Sequence, residues 1–168
     1  GLTLGAVFYA RPALLRASAP TNLNGGTVAT VPASNSSGTD WTDVAAAVSP
    51  AVVTIQAQGA SSGGTGSGVV YDAQGDIVTN YHVIKDATSI KVAFVDGQTY
   101  DAKLVGGEAE NDVAVLKIEA TGLHALTLGD SDSLVVGEPV YTIGNPLGEL
   151  TWSLTDGLVS AKDRSVTT

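Results

Sequence analysis

Two residue types that can act together in catalysis, a histidine and an aspartate, occur 30 residues apart in this chain. His82 follows the apolar stretch GDIVT, and Asp112 immediately precedes the apolar stretch VAVLKI. An aspartate that accepts a hydrogen bond from Nδ1 of a histidine fixes the ring tautomer, so that Nε2 can take a proton from a nucleophile. A carboxylate at the start of a buried strand is costly unless it is hydrogen-bonded, and an imidazole N–H is one suitable partner. By themselves, the two residues fit either a catalytic pair or a strand-end histidine and a capping aspartate.

Other site chemistries are excluded or disfavoured by composition. The chain has no cysteine, which rules out disulfides, zinc–thiolate sites and a cysteine nucleophile. His82 and His124 share no ligand spacing, and the loop GDSDS lacks the calcium pattern. No Lys-Ser or Lys-Thr follows the glycines of GGTGSG, so a phosphate loop is not indicated. We therefore expect no cofactor and no metal.

The chain is strongly acidic, with a net charge of −9 over 168 residues. Arg11 and Arg16 are the only charged residues before Asp40, so the negative charge lies entirely in residues 40–168. A body this acidic repels phosphate backbones, and we expect no nucleic-acid partner.

The elements that must position His82 and Asp112 are predicted to be short strands. One short helix is predicted first, with Asp40 as its N-cap and Ser49-Pro50 as its end. Strands without long helices follow, which is typical of a β-barrel or sandwich. The sequence predicts a strand over 51–58, a Gly/Ser-rich loop over 59–68, a hairpin around the turn 72–75, a helical turn at HVIKD, and later strands at 113–118, 138–144 and 153–161.

The clearest alternation of apolar and polar residues predicts a second hairpin around Asp96-Gly97. One face of its first strand carries Ile90, Val92 and Phe94, and one face of its second strand carries Tyr100, Ala102 and Leu104.

Residues 1–39 have a different composition from the rest of the chain. GLTLGAVFYA is apolar but shorter than the ~20 residues that span a bilayer. It fits either the end of a membrane span or signal segment, or a short buried segment. Residues 11–39 are rich in Pro, Ser and Gly, which is typical of a linker. Because the chain starts with Gly1 and contains no methionine, we expect a fragment, with a possible membrane anchor upstream of residue 1.

Seven stretches occur in order as VSPAVVTI, GTGSGVVYD, GDIVTNYHVI, DGQTYDAKLVG, NDVAVLKI, LGDSDSLVVGEPVYTIGNPLG and DGLVSAKDRS. Together they resemble the protease domain of the HtrA, or DegP, family of chymotrypsin-like serine proteases. The resemblance covers about residues 44–166. The resemblance implies that His82 is the general base and that Asp112 orients it. His124 matches a variable loop position and receives no catalytic role.

The implied fold is all-β, a chymotrypsin-like double β-barrel with its active site between the barrels. After the linker at 1–39, we expect a complete first barrel at 40–134 and a truncated second barrel at 135–168. The apolar residues of that second part, Val135, Val136, Val140 and Ile143 among them, are expected to lack facing strands.

The family's nucleophile motif, GNSGG, is absent from this chain. Ser153, Ser160 and Ser165 lack its flanking glycines, so none is assigned as the nucleophile. We therefore expect residues 1–168 alone not to hydrolyse peptides.

The resemblance implies a serine endopeptidase that acts on misfolded or unfolded proteins in the cell envelope, as a homo-oligomer with a trimeric core. Two alternatives stay open at this point. One is a non-catalytic protease-like module that binds peptides, and the other is a structural β-protein without a site.

Overall fold

The structure is a computed structural model that describes residues 6–9, 41–60, 63–144 and 153–162. The predicted linker, the predicted cap Asp40, residues 145–148 of the GNPLG motif and Ser165 lie outside the described residues. The elements are β1 (Ala6–Tyr9), α1 (Trp41–Val48), β2 (Val52–Gly59), β3 (Gly63–Val70), β4 (Asp76–Thr79), α2 (Tyr81–Ile84), β5 (Ala87–Ala93), β6 (Thr99–Glu108), β7 (Val113–Ile118), β8 (Pro139–Gly144) and β9 (Ser153–Leu158), with 3-10 turns at Ser49–Ala51 and Ser131–Ser133.

Six antiparallel strands close into a barrel in the order β2-β3-β4-β7-β6-β5. The predicted turn between β3 and β4 is present, and Asp72 Oδ1 accepts hydrogen bonds there from the backbone of Gln74 and Asp76. β4 does not pair with β5, which follows it in sequence, but with β7, in a register that sets Thr79 opposite Ala114. This pairing brings together two chain segments that are about 30 residues apart.

The barrel interior is filled by alternate residues of each strand, as the predicted periodicity requires. On β7 the inward residues Ala114, Leu116 and Ile118 are almost fully buried. The predicted apolar face of Ile90, Val92 and Phe94 is likewise buried, and the Phe94 ring packs edge-on against Tyr100.

The Gly/Ser-rich segment predicted as a loop is instead mostly strand. β3 begins at Gly63 and pairs with β2 along its length. Glycine is suited to this strand because the neighbouring side chains approach its backbone closely. A Cβ atom at Gly68 would lie 3.0 Å from both Ile55 Cδ1 and Ile77 Cγ2 in the core.

β6 contains a β-bulge. Tyr100 and Ala102 pack against the core, but Leu104 is half-exposed. The register with β7 shifts between Leu104 and Gly106, and such a shift turns the strand away from the core. Ahead of this shift, Ala102 pairs with Ile118 and Leu104 with Leu116, so Tyr100, Ala102 and Leu104 share one face of the strand, as predicted.

A second sheet has the order β1-β8-β9. Val135 and Val136 are exposed, as expected, and Val140 is half-buried. Ile143 departs from the expectation, because only 2% of its surface is exposed. Gly144 beside it lies so close to the first barrel that a Cβ atom there would be 2.9 Å from Ser67 Oγ on β3. The end of β8 is thus covered by the first barrel.

β1 comes from the apolar start of the chain and pairs antiparallel with β8, from Ala6 opposite Ile143 to Tyr9 opposite Val140. Within the ranges given above, no helix has both the length and the apolarity needed to cross a membrane.

Candidate active site

His82 is delivered to the rim of the barrel by β4 and α2. Thr79 at the end of β4 is fully buried, and its Oγ1 donates a hydrogen bond of 2.8 Å to the carbonyl of Ser67. Asn80 continues in an extended conformation, and α2 begins directly after it. The strand is therefore anchored in the core three residues before the imidazole.

α2 is held close to the barrel by glycines in two strands. A Cβ atom at Gly66 of β3 would lie 2.6 Å from Val83 Cγ2, and one at Gly107 of β6 would lie 2.7 Å from Tyr81 Cδ2. Tyr81 and Val83, the residues on either side of His82, therefore each pack against the backbone of a glycine. His82 itself points outward, with 44% of its side chain exposed.

Asp112 lies in the tight turn before β7, with its backbone in the left-handed region at φ 53°. Aspartate tolerates this region better than most residues, but the conformation still costs free energy. The Asp112 carbonyl accepts hydrogen bonds from the Tyr81 N–H at 3.2 Å and from Asn80 Nδ2 at 3.0 Å. These bonds hold the turn in place.

The structure brings His82 and Asp112 into direct contact. His82 Nδ1 lies 2.6 Å from Asp112 Oδ2, and the backbone N–H of His82 donates to Asp112 Oδ1 at 2.8 Å. An ionised carboxylate only accepts hydrogen bonds, so Nδ1 carries the hydrogen and the other ring nitrogen, Nε2, is left as an acceptor. This arrangement fixes both the tautomer and the orientation of the ring.

The surroundings of Asp112 favour its charged form. Partial burial raises the pKa of Asp112, but the hydrogen bonds from the His82 backbone and ring, the charge of His82 and the bond from Asn80 together outweigh it. The net effect is a pKa below the ordinary value of the carboxyl group.

A surface pocket of about 130 Å³ opens beside the imidazole. His82, Val83, Lys85 and the backbone of Gly63 and Gly64 contribute to its wall. The ring is therefore reachable by a ligand from outside the barrel.

His124, Ser153 and Ser160 make none of the hydrogen bonds that the structure shows to His82 or Asp112. His124 lines a different pocket, of about 180 Å³, together with Phe94 and Tyr100. Ser153 begins β9 and Ser160 follows that strand, and both are exposed.

Sequence reasoning missed Asn80, whose amide donates to Asp112 Oδ2 at 3.1 Å as well as to the Asp112 carbonyl. A polar residue between a buried strand and a histidine was the available signal. Nothing in the spacing alone shows that its side chain turns towards Asp112 and not into solvent.

A closed antiparallel barrel that carries a His–Asp pair on its rim, next to a second sheet, has the architecture of the chymotrypsin-like fold. The family model described as "Trypsin-like peptidase domain" matches residues 66–168, and the chain belongs to this family.

Known relatives and solved structures bear the DegP and HtrA names. The chain is 48% identical over 105 residues to the chloroplastic Protease Do-like 1 of Arabidopsis thaliana, covering 61% of this chain and 24% of that protein. It is 44% identical over 117 residues to the periplasmic serine endoprotease DegP of Escherichia coli K12, covering 64% of this chain and 24% of that protein. A structure of the HtrA-type protease AlgW with a tripeptide matches with a TM-score of 0.71 and 37% identity, over 76% of this chain and 42% of that one.

These similarities confirm the predicted resemblance and the predicted fold class. The chain spans about a quarter of the length of these two curated relatives.

Because Val83 packs directly on Gly66, we expect Gly66→Ala to push α2 outward and to destabilise the protein by about 1–3 kcal/mol, the usual range for overpacking. Urea unfolding and the NMR chemical shifts of His82 measure the two effects. Gly106→Ala is the matched control, since a Cβ atom there meets open space, and it should change stability by less than about 0.5 kcal/mol. Equal effects of the two substitutions would contradict this packing.

The lowered pKa of Asp112 also predicts a pH dependence of stability. The ionised carboxylate stabilises the fold above the unfolded-state pKa of about 3.9, and this stabilisation is lost as the pH falls through the lower folded pKa. Asp112→Asn should therefore have a lower free energy of unfolding than wild type at pH 7. This gap in the free energy of unfolding should narrow below about pH 4. The gap should be under about 1 kcal/mol, because the pair is exposed to water.

Urea unfolding at pH 7 and pH 3 measures this gap. Asp101→Asn removes a well-exposed carboxylate that pairs with Lys91 on the barrel surface, and it serves as the control. A gap for Asp112→Asn that is the same at both pH values would rule out the predicted linkage.

Proposed function

We propose that His82 and Asp112 are the general base and the orienting carboxylate of a serine endopeptidase of the DegP and HtrA type. The observation that carries the proposal is the two-point contact between them, from Nδ1 to Oδ2 and from the backbone N–H to Oδ1. The family similarity supports the same assignment. In this proposal the nucleophile is a serine of the second barrel, C-terminal to Thr168, in the position of the family's GNSGG motif.

The proposed reaction is acyl transfer through a covalent intermediate. Nε2 of His82 takes the proton of the serine hydroxyl as its oxygen forms a bond to the scissile carbonyl carbon. Asp112 remains ionised and stabilises the imidazolium through Nδ1–H. Collapse of the tetrahedral intermediate breaks the C–N bond, and the leaving amine receives the proton from Nε2. Water then attacks the acyl carbon while Nε2 of His82 takes its proton. The bond to the serine oxygen breaks, and the serine recovers a proton from Nε2.

The exposure of the pair fits this role. An orienting carboxylate must be ionised, and the N–H donors around Asp112 lower its pKa. A general base must reach its substrate, and His82 lies at a surface pocket. Asp112 holds one side of the His82 ring, and the other side is open to the pocket. A histidine with a purely structural role does not need this open side.

We propose misfolded or unfolded polypeptides as substrates, without a cofactor. The domains are proposed as a linker at 1–39, a first barrel at 40–134 and the first strands of a second barrel at 135–168. A trimeric assembly and action outside the cytoplasm are proposed from the similarity to DegP and HtrA proteases. A membrane anchor upstream of residue 1 is proposed from the apolar stretch GLTLGAVFYA. The relatives include both periplasmic and chloroplastic proteases, so they agree on the activity more than on the compartment.

The test is to label the natural full-length protein with a fluorophosphonate, which reacts only with activated serines, and to map the modified peptide by mass spectrometry. Wild type should be labelled on one serine beyond Thr168. His82→Ala should lose the label and lower kcat by about four to six orders of magnitude, because the base is gone.

His124→Ala is the matched control, since it removes the other histidine of this sequence at a different pocket. It should be labelled like wild type. A folded wild-type protein that takes no label would favour the peptide-binding module without catalysis. A His82→Ala variant with full activity would exclude His82 as the base.

A further inference from the structure

Asn80 occupies the N-cap position of α2 but does not act as a cap. Asparagine is a favoured N-cap residue because its side-chain oxygen accepts a hydrogen bond from the first turn of a helix. Here the structure shows no such bond from the first turn of α2. The amide nitrogen instead donates to two atoms of Asp112, the carbonyl oxygen at 3.0 Å and Oδ2 at 3.1 Å. Only 6% of the residue is exposed.

We propose that Asn80 is a positioning residue that fixes Asp112 for its contact with His82, an inference that rests on the proposed function. One donor group holds both the backbone and the carboxylate of the same residue. Oδ2, the atom that Asn80 bonds, is also the atom that faces His82 Nδ1. Rotation of the Asp112 side chain away from the ring would break both bonds.

The backbone of Asp112 needs such support. A non-glycine residue in the left-handed region persists only where its surroundings hold it there. The Asp112 carbonyl receives hydrogen bonds from Asn80 Nδ2 and from the Tyr81 N–H, and both donors precede His82 directly. The segment that carries His82 therefore also holds the turn that carries Asp112.

The bond to Oδ2 also has an electrostatic effect. A hydrogen bond donated to a carboxylate favours its charged form. Asn80 thereby helps to keep Asp112 ionised while His82 becomes positively charged. Because the amide is neutral, Asn80 has this effect without placing another charge beside the imidazole.

The test uses Asn80→Asp in the natural full-length protein. This change keeps the shape of the side chain but replaces the N–H donors with an oxygen that repels Oδ2. We expect kcat to fall by on the order of 10²-fold, the cost of a misplaced catalytic group, with KM nearly unchanged because Asn80 is buried behind the pair. The far-downfield proton resonance of His82 Nδ1–H, assigned by its loss in His82→Ala, should shift upfield or broaden.

Asn111→Asp is the matched control, since it makes the same chemical change one residue from Asp112. The Asn111 side chain is exposed and donates to Glu108, not to Asp112. It should keep kcat within about 2-fold of wild type and leave the His82 resonance in place. If Asn80→Asp does not fold, Asn80→Ala removes both donors without a new charge, and its kcat should fall in the same way.

The outcomes separate this inference from the proposed function. Wild-type kcat and an unmoved Nδ1–H resonance in a folded Asn80 variant would overturn the positioning role, even if His82→Ala is inactive. A KM effect in place of the kcat effect would also overturn it. Should His82→Ala retain activity, the proposed function fails, and the Nδ1–H resonance still reports whether Asn80 orients the pair.

Discussion

The antiparallel pairing of β4 with β7 is the constraint on which the candidate site depends. Its register places Ile77 opposite Leu116 and Thr79 opposite Ala114, all of them buried. A slip by one residue would turn these side chains outwards, so the core enforces the register. His82 follows β4 and Asp112 precedes β7, so both residues lie just beyond the last of these pairs, at the same end of the two strands. The same burial that stabilises the barrel therefore sets the distance between the two side chains.

Short-range contacts with His82 and Asn80 keep Asp112 charged. The chain has a net charge of −9, which disfavours each further negative charge through repulsion. The groups that lower the pKa of Asp112 are the His82 backbone and ring and the Asn80 amide. Such contacts depend on local geometry, so they survive on a surface whose overall potential opposes them.

Much of the fold and the pair itself could be predicted from sequence, for physical reasons. The alternation in Ile90, Val92 and Phe94 gave the buried face because a strand has a side-chain period of two. Motifs around His82 and Asp112 predicted their contact through family resemblance, since the spacing alone left alternatives open. The burial of Ile143 was missed because the adjacent residue, Gly144, lies against Ser67 of β3, which is far away in sequence. The bulge beside Leu104 was missed because it is a local irregularity in a strand whose pattern looks continuous.

The glycines of β3 were predicted to form a loop because glycine makes the backbone flexible, but they lie in a strand. A Gly/Ser-rich segment usually indicates a loop, since glycine gives a strand no side chain to pack. In this barrel the missing side chains are what the neighbours need: Ile55 and Ile77 fill the space over Gly68, and Val83 fills the space over Gly66. The last of these contacts seats α2 against the barrel. The position of His82 is thus set in part by side chains that are absent from β3, and composition alone carries no sign of that requirement.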